Sequence, residues 1–230
     1  MQIKARIDSA KGKEERAFSV DSLVIAGWAG RDREKMEAHI RELEELGVAR
    51  PRATPTYYRV SAARLNQNAT IQHTGDTSSG EAEAVLLAQD GVLYVGLGSD
   101  HTDRRVEGYG VTVSKQMCDK PISSDFWLFD EVAAHWDSLM LRAWAVIDGQ
   151  RVLYQEGPLA ELLPPAALIE GHSEGRGLPD GTAMLCGTMP AIGGIRPAAR
   201  FECELHDPVL SRTIMLAYNI DVLPIVEEQP

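Results

Sequence analysis

Glu81 and Glu83 stand two residues apart in Ser79-Gly80-Glu81-Ala82-Glu83-Ala84-Val85-Leu86-Leu87, at the head of an apolar run. On an extended strand, residues i and i+2 point to the same face, so this spacing puts two carboxylates side by side. Like charges that close repel unless a cation or a proton lies between them, and the pair points to a divalent metal. A third carboxylate, Asp100 in Gly98-Ser99-Asp100, ends the next apolar run, Val92 to Leu97. Asp90-Gly91 between the two runs is a hairpin signal. That hairpin brings Asp100 back to the end where Glu81 and Glu83 begin. Three carboxylates suit a hard cation, Mg2+ or Mn2+, with Ca2+ able to take the site in a crystal. Zinc would want His or Cys ligands.

Other groups have two readings each. His39 and Glu42 lie three apart in a helical segment, close enough to touch. They are either a water-activating dyad or a boundary histidine beside a solvated acid. His73 and His101 flank the acidic cluster in sequence, as contacts around the site or as solvated loop residues. Arg59 and Arg64 are candidates for an anionic substrate or ordinary surface arginines. Asp103 has Arg104 and Arg105 as ready partners. Cys118, Cys186 and Cys203 are an odd number without C-x-x-C spacing. They read as inert free thiols of a reducing compartment, which places the protein in the cytoplasm.

The elements that must hold these groups are mostly strands. Residues 2–7, 17–20 and 23–26 alternate or run apolar. A helix is predicted over 33–46, with Met36, Ile40, Leu43 and Leu46 on one face, Asp32 as N-cap, and Gly47 and Pro51 as stop signals. Strands are expected near 57–60, 126–129 and 139–147, with Asp148-Gly149 turning the last into Val152-Leu153-Tyr154. Short helices follow at 159–163 and 166–169, and the C-terminal third returns to strands at 181–186, 199–205 and 212–218. Thr74 to Gly80 reads as a plain loop.

With 44% hydrophobic and 25% charged residues, the composition is that of a soluble globular protein. No apolar run is long enough to span a bilayer, and the N-terminal basic residues lack the apolar stretch of a secretory signal. The net charge of −11 argues against nucleic acid or an anionic membrane as partner, while a bound cation still permits an anionic small molecule.

Several of these stretches, in this order, resemble the fumarylacetoacetate hydrolase superfamily, and within it a DUF2848-like family of bacterial proteins. The resemblance runs over about residues 24–218. It is carried by His39-Ile40-Arg41-Glu42, Glu81-x-Glu83, Asp100 in Ser99-Asp100-His101-Thr102-Asp103-Arg104, Lys115 ahead of Trp127, and the passage Asp180-Gly181-Thr182 to Gly187-Thr188-Met189-Pro190 followed by Phe201 to Leu205. It implies a mainly β, mixed α+β fold of rolled sheets with few helices. Residues 1–50 would supply N-terminal strands and a lid-like helix, and residues 51–230 the catalytic core, as one compact unit. It implies a metal-dependent hydrolase that breaks a C–C bond in an acylpyruvate-like 2-oxo acid. Alternatives are decarboxylase or hydratase/isomerase chemistry on the same site, or an inactive metal- and ligand-binding homologue. In this reading Glu81, Glu83 and Asp100 hold the metal, and Lys115, with Lys120 as rival, adds positive charge at the developing oxyanion. Thr188 and Gly187, with Arg59, bind the substrate, while Glu42 orients His39 to activate water. A homodimer is expected by the same analogy.

Overall fold

The computed structural model describes residues 1–45 and 50–226; the side chains of residues 39, 42, 43 and 45 lie outside that description. The strands, in chain order, are β1 (Gln2–Ser9), β2 (Gly12–Ser19), β3 (Ser22–Gly27), β4 (Thr56–Val60), β5 (Leu65–Asn66), β6 (Thr70–Thr74), β7 (Ser78–Ser79), β8 (Ala82–Gln89) and β9 (Val92–Ser99). They continue with β10 (Thr102–Asp103), β11 (Lys120–Pro121), β12 (Asp125–Leu128), β13 (Met140–Ile147), β14 (Gln150–Pro158), β15 (Thr182–Leu185), β16 (Arg200–Asp207) and β17 (Arg212–Leu223). The helices are few: α1 (Arg33–Glu45), α2 (Arg104–Glu107), α3 (Val111–Met117), α4 (Phe129–Val132), α5 (Pro165–Ser173) and short 3-10 turns. The mainly β, mixed class expected from the sequence is the one observed.

Eight strands form one sheet in the order β2-β1-β12-β9-β8-β15-β3-β4, and five form another in the order β14-β13-β16-β17-β6. Ile3, Phe18, Leu23, Val85, Leu87 and Phe126 come from strands across the large sheet, yet they share one buried cluster. A sheet whose distant strands meet on one face has rolled around that face. Its other face carries Ala82, Ala84, Leu86, Val95 and Leu97 against Leu141, Ala143, Phe201 and Cys203 of the second sheet. The central strand β8 is therefore covered on both sides, which is why it reads as unbroken apolar sequence from Ala84 to Ala88. β16 faces one core only and alternates buried with half-buried residues.

The strands of residues 1–27 are built into the large sheet: β1 pairs with β12, and β3 pairs with β15 and β4. Helix α1 begins as expected, with Asp32 Oδ1 accepting the N–H groups of Glu34 and Lys35 at 3.0 and 3.1 Å. Its expected stop at Gly47 falls outside the described residues. Several elements are additions to the sequence reading, among them α2, α3 and β6, which takes Thr70 to Thr74 into the second sheet beside β17. The loop expected over Thr74 to Gly80 is corrected at Ser78 and Ser79, which pair as β7 with β10. Among the described residues no helix is long and apolar enough to cross a membrane.

Candidate active site

The β8–β9 hairpin builds the acidic cluster as its turn residues predict. Asp90 and Gly91 take φ values of 54° and 72°, the backbone of a two-residue hairpin turn. The register then sets Glu83 opposite Gly98 and Ala82 opposite Ser99. Beyond the last pair, the Asp100 N–H donates to the Glu81 carbonyl at 2.9 Å. One carboxylate oxygen each of Glu81, Glu83 and Asp100 lies within 4.8 Å of the others. Glu83 and Asp100 are buried, and Glu81 is half-buried at the edge of an open cleft of about 990 Å³.

A second layer fixes these three side chains. Gly187 comes off the end of β15 at φ +93°, and a Cβ there would stand 2.8 Å from the Ala29 Cβ and 3.4 Å from the Ala26 carbonyl oxygen. Glycine permits both the conformation and the close approach, and its N–H donates to Glu83 Oε2 at 2.6 Å. The Thr188 hydroxyl donates to the Ala82 carbonyl at 2.7 Å. Buried Gln155 on β14 clamps the same segment: its Oε1 accepts the Ala82 N–H at 3.0 Å, and its Nε2 donates to Thr188 Oγ1 at 2.7 Å. Glu81 is held by Arg104, whose Nη2 lies 2.9 Å from Oε1. The same guanidinium reaches Glu107 at 3.0 Å and the Ser79 hydroxyl at 2.7 Å. The Lys115 ammonium donates to Asp100 Oδ2 and stands 3.6 Å from Glu81. Lys120 donates to the carbonyls of His101 and Cys118 at 2.6 and 3.1 Å, with Asp100 Oδ1 at 3.3 Å.

These neighbours pull the two buried acids in opposite directions. Burial pushes the Glu83 carboxyl up, and the charges of Asp100 and Glu81 push it further, well above the usual range. Burial also works against an ionised Asp100, but Lys115 and then Lys120 outweigh it and hold that carboxyl low. Lys115 rises above its ordinary value because Asp100 and Glu81 outweigh its own burial. Three carboxylates drawn together beside three cations remain frustrated at Glu83, which takes either a proton or a metal. The donor set fits a hard divalent ion: all three ligand atoms are carboxylate oxygens, and the buried Asp100 Oδ1 has no hydrogen bond of proper geometry.

The structure sorts the residues singled out from sequence. Glu81, Glu83, Asp100, Lys115, Gly187 and Thr188 come together. Lys115 lines the cleft, whereas Lys120 is fully buried, so of the two lysines only Lys115 faces the cleft. Arg59 is a correction: its neighbour Tyr58 lines the cleft, successive strand residues face opposite ways, and the Arg59 guanidinium donates to the backbone carbonyls of Leu23 and Asp21, both at 3.3 Å. His39 and Glu42 are on α1, but their side chains lie outside the described residues. His73 and His101 are buried rather than solvated. His101 sits between the Tyr218 hydroxyl at 3.0 Å and the Ser78 hydroxyl at 2.8 Å, and burial, with the Lys120 charge second, holds it well below its ordinary value. Asp103 caps α2 through the Val106 N–H at 2.8 Å and lies 3.4 Å from His73.

Sequence reasoning missed the site role of Arg104, Gln155 and Tyr58. For Arg104 there was a signal, since an Asp-Arg-Arg run directly after a buried strand needs a reason to be polar. Gln155, one of two glutamines in a strand of mixed polarity, and Tyr58, one of two adjacent tyrosines, gave none.

A family model described as "Protein of unknown function (DUF2848)" matches residues 26–218. No curated protein matches. Among solved structures, the chain is similar to a structure described as Cg1458 at 12% identity, covering 97% of this chain and all of that one, with TM-score 0.67. It is similar to yeast ynq8, a fumarylacetoacetate hydrolase family protein, at 19% identity over 90% of this chain and 95% of that one, with TM-score 0.63. It is also similar to 2-keto-3-deoxy-D-arabinonate dehydratase complexed with magnesium and 2,5-dioxopentanoate, at 13% identity over 92% of this chain and 77% of that one, with TM-score 0.63. At these identities the likeness is one of fold, and it is the fold that the sequence resemblance implied.

Proposed function

The chain belongs to the DUF2848 family, and from that membership, which names no activity, we propose that it is a divalent-metal-dependent enzyme that breaks a C–C bond in a 2-oxo acid by hydrolysis. The observation that carries the reading is the convergence of Glu81, Glu83 and Asp100 on one point, with the Lys115 ammonium beside them at the floor of an open cleft. The magnesium and dioxo-acid complex of the dehydratase with this fold supports the choice of ligand class.

Glu81, Glu83 and Asp100 would hold Mg2+ or Mn2+, which when bound supplies Lewis acidity to the carboxylate and keto oxygens of the substrate. Lys115 keeps its proton and presents a fixed positive charge at the oxygen that becomes negative as the C–C bond breaks. Gly187 holds Glu83, and Thr188 with Gln155 holds the start of β8, so these residues position the ligands. Arg104 does the same for Glu81 and adds a second cation for the acid's carboxylate. In the hydrolytic reading, Glu42 orients His39 and His39 takes the proton of the attacking water.

A screen of acylpyruvates and other 2-oxo acids with added Mg2+ or Mn2+ tests the proposal, with the Glu81→Ala/Glu83→Ala variant as control. Turnover is expected to need the metal and to vanish in the variant; equal activity in both sinks the site. Glu42→Ala separates hydrolysis from the decarboxylase or hydratase alternative. It should stop hydrolysis and leave metal affinity intact, and unchanged turnover rejects the dyad.

A further inference from the structure

The cleft above the triad is lined by two chemically different sets of residues. One is the acids with Lys115 and Arg104; the other is apolar, with Trp28, Tyr58, Met36 and Ile195. Tyr58 stands between Lys115 and Trp28, which gives the cleft a polar end and an aromatic one. We propose that the cleft selects a 2-oxo acid whose tail is uncharged and apolar, of aryl size, and that Trp28 is the residue that sets this specificity. The proposal rests on the oxo-acid reading above for the polar end and adds the identity of the far end.

Four observations converge on it. First, the cleft of about 990 Å³ is at the upper end of the range for drug-sized ligands, far more than a four- or five-carbon acid fills. Second, the far end is built around aromatic rings. Trp28 is held at φ 57°, a conformation that a bulky side chain rarely adopts and that the surrounding structure must enforce. Its indole N–H donates to the Tyr58 hydroxyl at 3.2 Å. The Tyr58 ring lies so close to the backbone of Gly27 that a Cβ there would be 2.6 Å from it.

Third, Tyr58 joins the two ends, because the Lys115 ammonium is 5.7 Å from its ring centroid. An acid group at Lys115 and the metal ligands therefore has the aromatic wall as the next surface along the cleft. Fourth, the charges described in the rest of the lining do not favour a second carboxylate. Arg31 makes a two-pronged pair with Asp137 at 2.7 and 2.8 Å, and the exposed Lys35 is accompanied by two acids of the same lining, Asp32 at 3.9 Å and Glu161. A second carboxylate there would meet apolar side chains and these acids. An aryl or branched alkyl group would bury its surface against Trp28 and Met36.

Calorimetric titration of the Mg2+-loaded protein with three probes tests this. Oxalate occupies the acid end alone, 2-oxoglutarate adds a distal carboxylate, and 2-oxo-4-phenylbutanoate adds an aryl tail. The phenyl probe is expected to bind at least about tenfold more tightly than 2-oxoglutarate, the scale for burying one aromatic ring. Trp28→Ala should remove most of that advantage and leave oxalate within about twofold, a ratio set by the tail alone. Met36→Lys, on an accessible helix face, covers the case in which Trp28→Ala unfolds the loop. It should weaken the phenyl probe and strengthen 2-oxoglutarate by placing a cation within the apolar wall. Equal affinity for the two tailed probes, or equal losses for all three in Trp28→Ala, overturns the proposal while oxalate binding keeps the acid end intact. Failure of oxalate to bind overturns the oxo-acid reading and the proposal together.

Discussion

Asp100 and Asp207 are both completely buried carboxylates, and both are held ionised below the usual carboxylate range against the effect of burial. The means differ. At the end of β16, Asp207 Oδ1 accepts the N–H groups of Val209 and Leu210 at 3.0 and 3.1 Å, with His135 Nε2 at 3.0 Å. This is an acid capping its own turn through one oxygen, while its Oδ2 makes no hydrogen bond and lies 3.4 Å from the Arg212 guanidinium. Asp100 depends instead on ammonium groups 15 and 20 residues along the chain. Beside it is Glu83, a second buried acid that Asp100 itself pushes toward protonation. A buried carboxylate that the local backbone satisfies is part of the fold. One set against another carboxylate, with cations that balance it incompletely, is arranged for a ligand.

The largest effect should come from Asp100→Asn. Removing that charge leaves Lys120 buried without a counter-ion and Lys115 with Glu81 alone, a loss of about 3–5 kcal/mol in unfolding free energy. Urea titration measures it, and calorimetry should show Mg2+ binding abolished. A variant within about 1 kcal/mol of wild type, the net worth of an ordinary hydrogen bond, would mean that the lysines do not need Asp100, and the contrast would fail.

Asp207→Asn should cost less, about 1–3 kcal/mol, and leave Mg2+ affinity unchanged. Its pH dependence has a defined sign. The folded carboxyl lies below its unfolded value of about 3.9, so its stabilisation is complete above that value and is lost as pH falls through the folded one. The part of the stability gap between wild type and Asp207→Asn that comes from this carboxyl therefore narrows as pH falls below about 4. A gap that instead keeps growing below about pH 4 would remove Asp207 from the class of fixed acids.

The contrast also explains what could be read from the chain. The triad was legible because it is local: one hairpin, with Asp90-Gly91 fixing the turn and period-two spacing fixing the faces, brings together residues at most 19 positions apart. Helix α1 and the β13–β14 hairpin were legible for the same reason, from an N-cap and an Asp-Gly turn. The positioning layer was less so. Gly187 and Thr188 entered only through the family resemblance and as substrate contacts, whereas the Gly187 N–H reaches Glu83 across 104 residues and the Thr188 hydroxyl reaches the Ala82 carbonyl across 106. Gln155 meets Ala82 across 73 residues, and no local pattern marks it. Arg59 misled because adjacent strand residues differ by a half-turn, so a shift of one separates Tyr58 in the cleft from an arginine on the opposite face. His73 and His101 were read as solvated because their stretch is polar, whereas a polar stretch can be buried when its groups satisfy each other, as His101 does with Tyr218 and Ser78.

The finest test of the contrast lies within the triad itself. Glu83 differs from Asp100 in that its buried carboxyl is driven toward the neutral form, first by burial and then by Asp100 and Glu81. Glutamine is nearly isosteric with that neutral form, and its amide oxygen can still accept the Gly187 N–H that now reaches Glu83 at 2.6 Å. Metal-free Glu83→Gln should therefore be as stable as wild type or more stable by up to about 1 kcal/mol, the opposite sign to Asp100→Asn. Its Mg2+ affinity should fall by more than about 100-fold, beyond what disturbing a mere support of a metal ligand does. Thermal unfolding with and without Mg2+ reads both effects, since a ligand that binds only the folded state raises its stability in proportion to the logarithm of its occupancy ratio. The variant should begin no lower than wild type and gain far less from the ion. If Glu83→Gln instead loses as much stability as Asp100→Asn, Glu83 is ionised before metal arrives, and the cations around the triad already balance it.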